Sequence, residues 1–314
     1  MKQHKYSLRG WVVFAFIQFF AISMAHAQAN QTWVTGFGND ASPTCSYAAP
    51  CQTFAAALAQ TTAGGEISID STGQFGTVTI NKSVTINAVG SLGSIVVPAG
   101  QNGITIAAGP TDVVILRGLT INGAGVGANG IQFLSGARLH LEHCTISSFT
   151  NEGILFQPSG SSTLHVNNVS IRNDVLGAIL IQPTVSGTAV AFLNNLKMES
   201  NYRGVRAEDR STVTVRNSIV TGSVGNGFVA ISVAGGTVDY TIESSVSSGN
   251  ANSGVVSSGT NATMRISNFT ATRNAGYGLY PLSGGKIISF GNNRVNGNLL
   301  GDGAPTTTLS PGQI

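Results

Sequence analysis

Apolar and polar residues alternate in short runs along most of the chain, and these runs recur at a nearly constant interval. A glycine precedes each recurrence, and successive glycines are 23 to 27 residues apart. They are Gly130, Gly153, Gly177, Gly204, Gly227, Gly254 and Gly278. Period-two alternation is typical of β-strands with one buried face, and repeats of this length are typical of solenoids. The pattern therefore predicts an all-β solenoid.

Residues 28–63 precede the repeats and are predicted to form an N-terminal cap with a short helix. Thr53 can serve as the helix N-cap, and Phe54 and Leu58 form an apolar stripe at helical spacing. A solenoid needs such a cover over its open first coil. Because period-two alternation begins at Gly64, we place the solenoid at residues 64–298 and a C-terminal tail at residues 299–314.

The alternation also assigns inward and outward side chains to the first strand of each repeat. Ala178 and Leu180, for example, are predicted to face inward. The outward positions form a row, which reads Ser68, Thr105, Gln132, Leu155, Ile179, Arg206, Val229, Val256 and Tyr280. Because exposed apolar patches usually mark contact sites, we expect a cover near Leu155, Ile179, Val229 and Val256. That cover is either another segment of this chain or a polysaccharide or protein partner.

A polar column follows the second strands and consists of His143, Asn168, Asn195, Asn217, Ser244, Asn268 and Asn292. Parallel strands lie about 4.8 Å apart, so amides in one column can hydrogen-bond along the solenoid axis. Asn also tolerates the left-handed backbone of a tight corner. We interpret Asn168, Asn195, Asn217, Asn268 and Asn292 as a structural ladder.

Repeats with three short strands, a glycine before the first strand and an Asn column resemble the parallel β-helix of the pectate-lyase-like superfamily. The resemblance covers residues 64–298. It implies a right-handed, single-stranded parallel β-helix solenoid with a short N-terminal α-helical cap. It implies no single activity, because such folds host lyases, hydrolases, epimerases, adhesins and phage fibres. This chain lacks the Asp cluster of the calcium-dependent lyases and the Gly-His-Gly motif of the polygalacturonases.

Residues 1–27 have the pattern of a secretory signal peptide. Basic residues precede an apolar run, Trp11–Met24, which ends at an Ala25-His26-Ala27 cleavage site. The run is short for a bilayer, which needs roughly 20 apolar residues. We therefore expect cleavage, a secreted or periplasmic location, and no transmembrane segment in the mature chain.

Removal of this segment changes the charge balance. Three of the 16 basic residues lie in it and none of the 13 acidic residues do, which leaves 13 of each sign and no net charge. The basic isoelectric point of the whole sequence therefore does not indicate a nucleic-acid partner.

Export also permits disulfide bonds. Cys45 and Cys51 lie six residues apart around a proline-containing loop and are predicted to form a local disulfide. Cys144 lies at an apolar position of the repeat and is predicted to be a buried thiol.

Two clusters carry candidate chemistry. His140 and His165 are predicted to face outward one coil apart, with Glu142 on the same face, and such a set can bind a transition metal or act as acid and base. The competing interpretation is that Glu142 forms a salt bridge with Arg117, as Glu243 does with Arg216. We expect no bound metal and no cofactor.

The second cluster contains Arg203, Arg206 and Arg210, whose planar guanidinium groups suit the carboxylate of an acidic sugar. The competing interpretation is mutual neutralisation with the acids Glu208 and Asp209 on a solvated turn. Tyr280 is a candidate for stacking on a sugar ring, although edge packing of the ring is the more common role.

The acid-poor outward row favours an exported, non-catalytic module that binds carbohydrate or a protein partner, or is part of a surface structure. The alternative is a polysaccharide lyase or epimerase that acts on uronate-containing glycans. In that case the catalytic groups would come from His140, His165 or the arginine cluster.

Overall fold

The computed structural model describes residues 28–309, and these residues form a parallel β-solenoid. One sheet contains nine strands and the other contains 20 strands. The predicted all-β solenoid and its short N-terminal helix are confirmed. The predicted signal peptide, residues 1–27, lies outside the described residues.

The helix α1 spans Phe54–Gln60. The strands are, in chain order, β1 Ala29–Val34, β2 Thr61–Ile69, β3 Gly73–Gln74, β4 Val78–Ile80, β5 Val84–Asn87, β6 Gly93–Val96, β7 Ile104–Ala107, β8 Val113–Arg117, β9 Leu119–Asn122, β10 Ile131–Ser135, β11 Arg138–Glu142, β12 Thr145–Ser147, β13 Glu152–Phe156, β14 Ser161–Arg172, β15 Gly177–Ile181, β16 Thr188–Glu199, β17 Val205–Glu208, β18 Ser211–Arg216, β19 Ile219–Thr221, β20 Phe228–Ile231, β21 Val238–Glu243, β22 Val246–Ser248, β23 Val255–Ser258, β24 Ala262–Ser267, β25 Thr270–Thr272, β26 Leu279–Leu282, β27 Lys286–Ser289, β28 Arg294–Asn296 and β29 Thr307–Thr308.

Each coil contains a first, a second and a third strand. In one coil these are β10, β11 and β12, and each pairs in parallel with the equivalent strand of the next coil. The first strands form the nine-stranded sheet, while the second and third strands form the larger sheet, which bends at a tight corner. In β14 and β16 the second and third strands are continuous, so each forms one long strand that passes the corner.

The interior is a continuous column of apolar side chains. Leu141, Val166, Leu193 and Val215 are register partners in four successive coils, and all four are buried. The ring of Phe133 packs at a tilt against that of its register partner Phe156 in the next coil, with centroids 4.5 Å apart. Burial of one such side chain contributes about 1.5–3 kcal/mol, so the stack of coils is stabilised along its whole length.

Helix α1 packs against β1, β2 and β4 at the start of the solenoid. The Thr53 hydroxyl accepts a hydrogen bond from the Ala56 N–H (3.2 Å), and Phe54 and Leu58 are buried. Cys45 and Cys51 form a disulfide in this cap.

Parallel pairing extends beyond the predicted limits of residues 64–298 at both ends. In the predicted cap, β1 pairs with β2, and in the predicted tail, β29 pairs with β27. The solenoid sheet therefore includes both terminal strands.

One coil departs from the predicted register. Gly177 pairs with Glu152 instead of Gly153, and Ile179 pairs with the inward-facing Ile154. Gly177 therefore lies one residue earlier in its coil than the other repeat glycines do. Because strand side chains alternate, a shift of one residue exchanges the two faces. Ile179 is buried in the core, and Leu180 takes the outward position that was predicted for Ile179.

The first position of the predicted outward row also needs correction. Ser68 lies in β2, which belongs to the larger sheet. Thr79 of β4 is the residue that pairs with Thr105 on the first-strand sheet. The prediction placed Ser68 in the row because β2 has the same alternation as a first strand.

The polar column after the second strands has the backbone that was predicted for it. His143, Asn168, Asn195, Asn217, Ser244 and Asn268 all have φ between 47° and 57°. The amide ladder itself is interrupted. Asn195 donates to Asn168 (3.2 Å), but Asn217 donates to the neighbouring Asn194 (2.9 Å). At Asn292 the left-handed residue is the preceding Gly291.

A second, buried ladder was not predicted. Its column is Phe149, Asp174, Asn201, Ser223, Asn250, Asn274 and Asn298. Backbone N–H groups of this inner ladder donate to the side-chain oxygen of the next coil, as Asn274 does to Asn298 (3.1 Å). The step from Asn201 to Ser223 is the exception, since the buried Ser223 hydroxyl has no hydrogen-bond partner. The side-chain amide of Asn274 also donates to the Ser247 carbonyl (3.1 Å). The inner ladder satisfies backbone groups that the turns would otherwise leave unpaired in the interior.

The inward register can be tested with Val215→Asp. An unpaired charge in the column should lower the free energy of unfolding by about 3–5 kcal/mol. Thr214→Asp is the matched control, since its side chain lies on the outer face of the same strand. Equal thermal melting temperatures for the two variants would contradict the register.

The two ladders can be compared through Asn274→Ala and Asn217→Gly. Asn274 is buried and its oxygen accepts from both nitrogens of Asn250 (2.8 and 3.2 Å), so its loss should cost about 3 kcal/mol. Asn217 is exposed, and glycine keeps its left-handed backbone, so that variant should lose about 1 kcal/mol. Urea unfolding measures the free energy of unfolding of both variants. A larger decrease for Asn217→Gly than for Asn274→Ala would contradict the prediction.

Candidate functional site

The predicted histidines meet on the outer face of the second strands. We call the outward side of β8, β11, β14, β16, β18, β21 and β24 the second-strand face. His140 and His165 are register partners with parallel rings, 4.6 Å between centroids and 4° between planes. Phe192, the next residue in this row, stacks on His165 with its centroid at 5.1 Å. Three rings therefore form one aromatic stack along the axis.

This arrangement does not suit a metal site. The nitrogen lone pairs of an imidazole lie in the ring plane, so those of two parallel stacked rings run side by side and do not converge on one ion. Zinc would require both nitrogens at about 2.0–2.1 Å. Within residues 28–309, no group of three or more His, Cys, Asp or Glu side chains is placed to hold a metal ion.

The two histidines are uncharged at neutral pH. Partial burial lowers the pKa of His165, and burial together with the neighbouring His165 and Arg138 lowers the pKa of His140. A lowered pKa keeps both rings neutral at pH 7. The stack therefore offers flat, uncharged aromatic surface at pH 7.

The competing interpretation of Glu142 is confirmed. Its Oε2 lies 2.9 Å from Nε of Arg117, and the same atoms of Glu243 and Arg216 are also 2.9 Å apart. Glu142 therefore belongs to an ion pair beside the aromatic stack. Phe192 takes the place beside the histidines that Glu142 was predicted to take. The spacing of the second strands could have identified Phe192, since it follows His165 by the repeat length of 27 residues.

The arginine cluster is held by partners within the chain. Nη2 of Arg203 lies 2.8 Å from Oε1 of Glu152, an acid that is almost fully buried, and Arg206 pairs with Glu208. Gln182 also donates to Glu208 (2.7 Å). These contacts resemble structural ion pairs more than an open carboxylate site.

The remaining two ligand candidates, Arg210 and Tyr280, also contact groups within the chain. Arg210 donates to the Thr184 carbonyl (2.7 Å) and the Gly187 carbonyl (3.1 Å), so it fixes a turn of the preceding coil. Tyr280 lies in β26, three coils beyond Arg206, and its ring stacks on Tyr277 with centroids 4.9 Å apart. The four predicted ligand residues therefore do not form one site.

The apolar outward row offers less exposed surface than its sequence suggests. Val229 and Val256 are 4% and 7% exposed, and Leu155 is half-buried. Ile179, as noted above, faces the core. The chain itself therefore covers most of this row.

One buried acid is unusual. Asp174 occupies an inner-ladder position and its Oδ1 accepts from the Phe149 N–H (2.9 Å), but its buried Oδ2 has no hydrogen-bond partner. In equivalent positions the Asn amide donates to a backbone carbonyl, as Asn201 does to Ile171 (3.0 Å). An ionised carboxylate cannot make that bond. Burial accordingly raises the pKa of Asp174 to about 7.

This shift predicts how Asp174→Asn behaves with pH. Between about pH 4 and pH 7 the unfolded Asp ionises while the folded one stays protonated, so the wild-type protein loses stability as pH rises through this window. Asn does not ionise, so the variant does not lose stability in this window. The variant should therefore be more stable than wild type by a few kcal/mol at pH 8 and by much less at pH 4, as measured by thermal melting.

Asn201→Asp is the matched reverse change, one coil along the same ladder. It should become less stable than wild type as pH rises from 4 to 8, for the same physical reason. A stability difference between Asp174→Asn and wild type that is equal at both pH values would contradict the assignment.

Comparison with known proteins places this geometry in a family. The family model described as "Right handed beta helix region" matches residues 66–238, more than half of the chain. None of the curated proteins compared with the chain is a significant match. The crystal structure of pectate lyase Pel9A is similar, with a TM-score of 0.65 and 18% sequence identity over 84% of this chain and 75% of that chain. At that identity the likeness concerns the fold alone. The family match, with the parallel coils described above, leads to the conclusion that the chain belongs to the right-handed beta helix family.

Proposed function

We propose that the chain is an exported, non-catalytic module that binds carbohydrate on its second-strand face. The observation that carries this proposal is the aromatic stack of His140, His165 and Phe192, which ends on a ring that is 46% exposed. Binding sites for small organic groups combine aromatic surface with a few polar groups. A rigid sheet surface also presents such groups without a large ordering cost.

The contacts of the other candidate groups within the chain support a non-catalytic role. Glu142, Arg203 and Arg206 are held in ion pairs, and Arg210 holds a turn. A general acid or base must be within hydrogen-bond reach of a substrate. Groups that are held by internal partners are not free to take this role.

Export is supported by the signal-peptide pattern of residues 1–27 and by the disulfide in the cap. Over residues 28–309, the chain has no helix with the length and apolar character needed to cross a membrane. The proposed location is secreted or periplasmic.

A lyase or epimerase is the second candidate, and Asp174 favours it. This acid lines a depression of about 440 Å³ together with Tyr202 and Val224, next to the turn that carries Arg203. Burial also raises the pKa of nearby Glu152, which the charge of Arg203 opposes. Perturbed acids beside an arginine are common at active sites. The similar solved structure is described as a pectate lyase.

Affinity electrophoresis in gels that contain soluble polysaccharides separates the two candidates when it is combined with a lyase assay. The mature protein should be retarded by at least one polysaccharide and should release no unsaturated product from polygalacturonate, with or without calcium. A steady rise in ultraviolet absorbance that is abolished in Asp174→Asn would contradict the non-catalytic proposal and support the lyase. An epimerase would be detected separately, by the sugar composition of the recovered polymer.

A further inference from the structure

We infer that a basin beside Phe192 on the second-strand face is a subsite for a neutral hexopyranose chain. The basin is bounded by Phe192, by the Arg216–Glu243 pair and by the Arg265–Asp239 pair, and its floor carries Thr214 and Thr241. The inference rests on the proposed carbohydrate-binding function and assigns to it a place and a ligand class.

The basin exists because side-chain size drops sharply at the end of the aromatic stack. The register partner of Phe192 in the next coil is Thr214, and the partner of Thr214 is Thr241. A threonine is too short to cover a phenyl ring on the neighbouring strand, so the ring face opposite His165 is open. A depression of about 530 Å³ lies here, lined by Phe192, Leu193, Asn194, Thr214, Arg216 and Asn217.

Two ion pairs form the other limits of the basin. Arg216 and Glu243 are partners on the two floor strands, next to the corner. Arg265 follows Thr241 by one coil and pairs with Asp239 across the strands. Arg216 of the first pair lines the depression. Arg265 lies at the far end of the row that runs from Phe192 through Thr214 and Thr241.

The lining matches the two chemical faces of a pyranose ring. The open phenyl face can stack on the C–H face of the sugar, as aromatic side chains do on apolar groups. The sugar hydroxyl groups can bond to threonine hydroxyls on the floor and to the amides at the corner. Asn217 donates only one of its hydrogen bonds to Asn194 (2.9 Å), and an amide has two N–H groups and an acceptor oxygen. Polar groups therefore remain available beside the ring.

The charges favour a neutral sugar over a uronate. Arg216 and Arg265 each have an acidic partner, so the basin has two positive and two negative groups and no net charge. A bound carboxylate would meet arginines that are already neutralised and would lie close to Glu243 and Asp239. Binding of polyuronates depends on arginine or lysine that can pair with the sugar carboxylate.

Affinity electrophoresis and calorimetry with hydroxyethylcellulose, galactomannan and polygalacturonate test the inference. The mature wild-type protein should bind at least one neutral polymer ten-fold or more tightly than polygalacturonate. Phe192→Ala should weaken that binding at least ten-fold, and Phe192→Trp should retain it. Thr214→Tyr leaves the Phe192 ring in place but fills the basin with the new tyrosine side chain, so it should also abolish binding.

Phe37→Ala is the matched control, because Phe37 is a phenylalanine of the N-terminal segment that is 96% exposed. It should bind like wild type, and circular dichroism melting checks the folding of every variant. Normal binding of neutral polymers by folded Phe192→Ala and Thr214→Tyr would overturn this basin as the site, while carbohydrate binding by the protein would stand. A preference of the wild type for polygalacturonate would overturn the ligand class. Failure of the wild type to bind any polysaccharide would overturn the proposed function itself.

Discussion

The parallel register between successive coils is the constraint on which the rest of this structure depends. It brings residues separated by a whole repeat into contact, such as Leu141 and Val166. Because side chains alternate along each strand, the same register that fills the interior also decides which residues line up outside. The coil that contains Ile179 maintains this order even though its glycine lies one residue earlier. The chain keeps the apolar partners aligned and absorbs the difference in the turn.

The hydrogen bonds between successive turns also depend on this stacking of coils. Turns that pass close to the core bury backbone N–H groups, and an unpaired N–H there is costly. The inner ladder meets this need with one side chain in most of its coils, as the side chains of Asn274 and Asn298 illustrate. Asp174 meets it only with its Oδ1 atom. An acid at this position reduces stability at neutral pH, and such sites often have a functional role.

The outer surface obtains its chemistry from rows of axial neighbours. Each row can change its character within one coil spacing, as the aromatic stack does where Phe192 gives way to Thr214. Small changes of residue type in a regular scaffold therefore create steps, basins and ion pairs without altering the backbone. This explains in physical terms why one solenoid architecture supports many different functions. On this chain it produces an uncharged aromatic wall beside polar groups, which suits the apolar and hydroxyl faces of a sugar.

The sequence alone determined the solenoid, the capping helix, the left-handed corner at residues such as Asn168, and the outward position of His140 and His165, because these depend on local periodicity and backbone preference. The inner ladder also left a signal, since Asn201 and Asn274 each follow a corner residue by six positions. Tertiary structure alone decided two things: that Ile179 faces the core and that the chain covers Val229 and Val256. These outcomes depend on which residues meet between coils and on what surrounds them. A local pattern specifies which side chains lie on each face of a strand. It does not specify which residues of the next coil lie beside them.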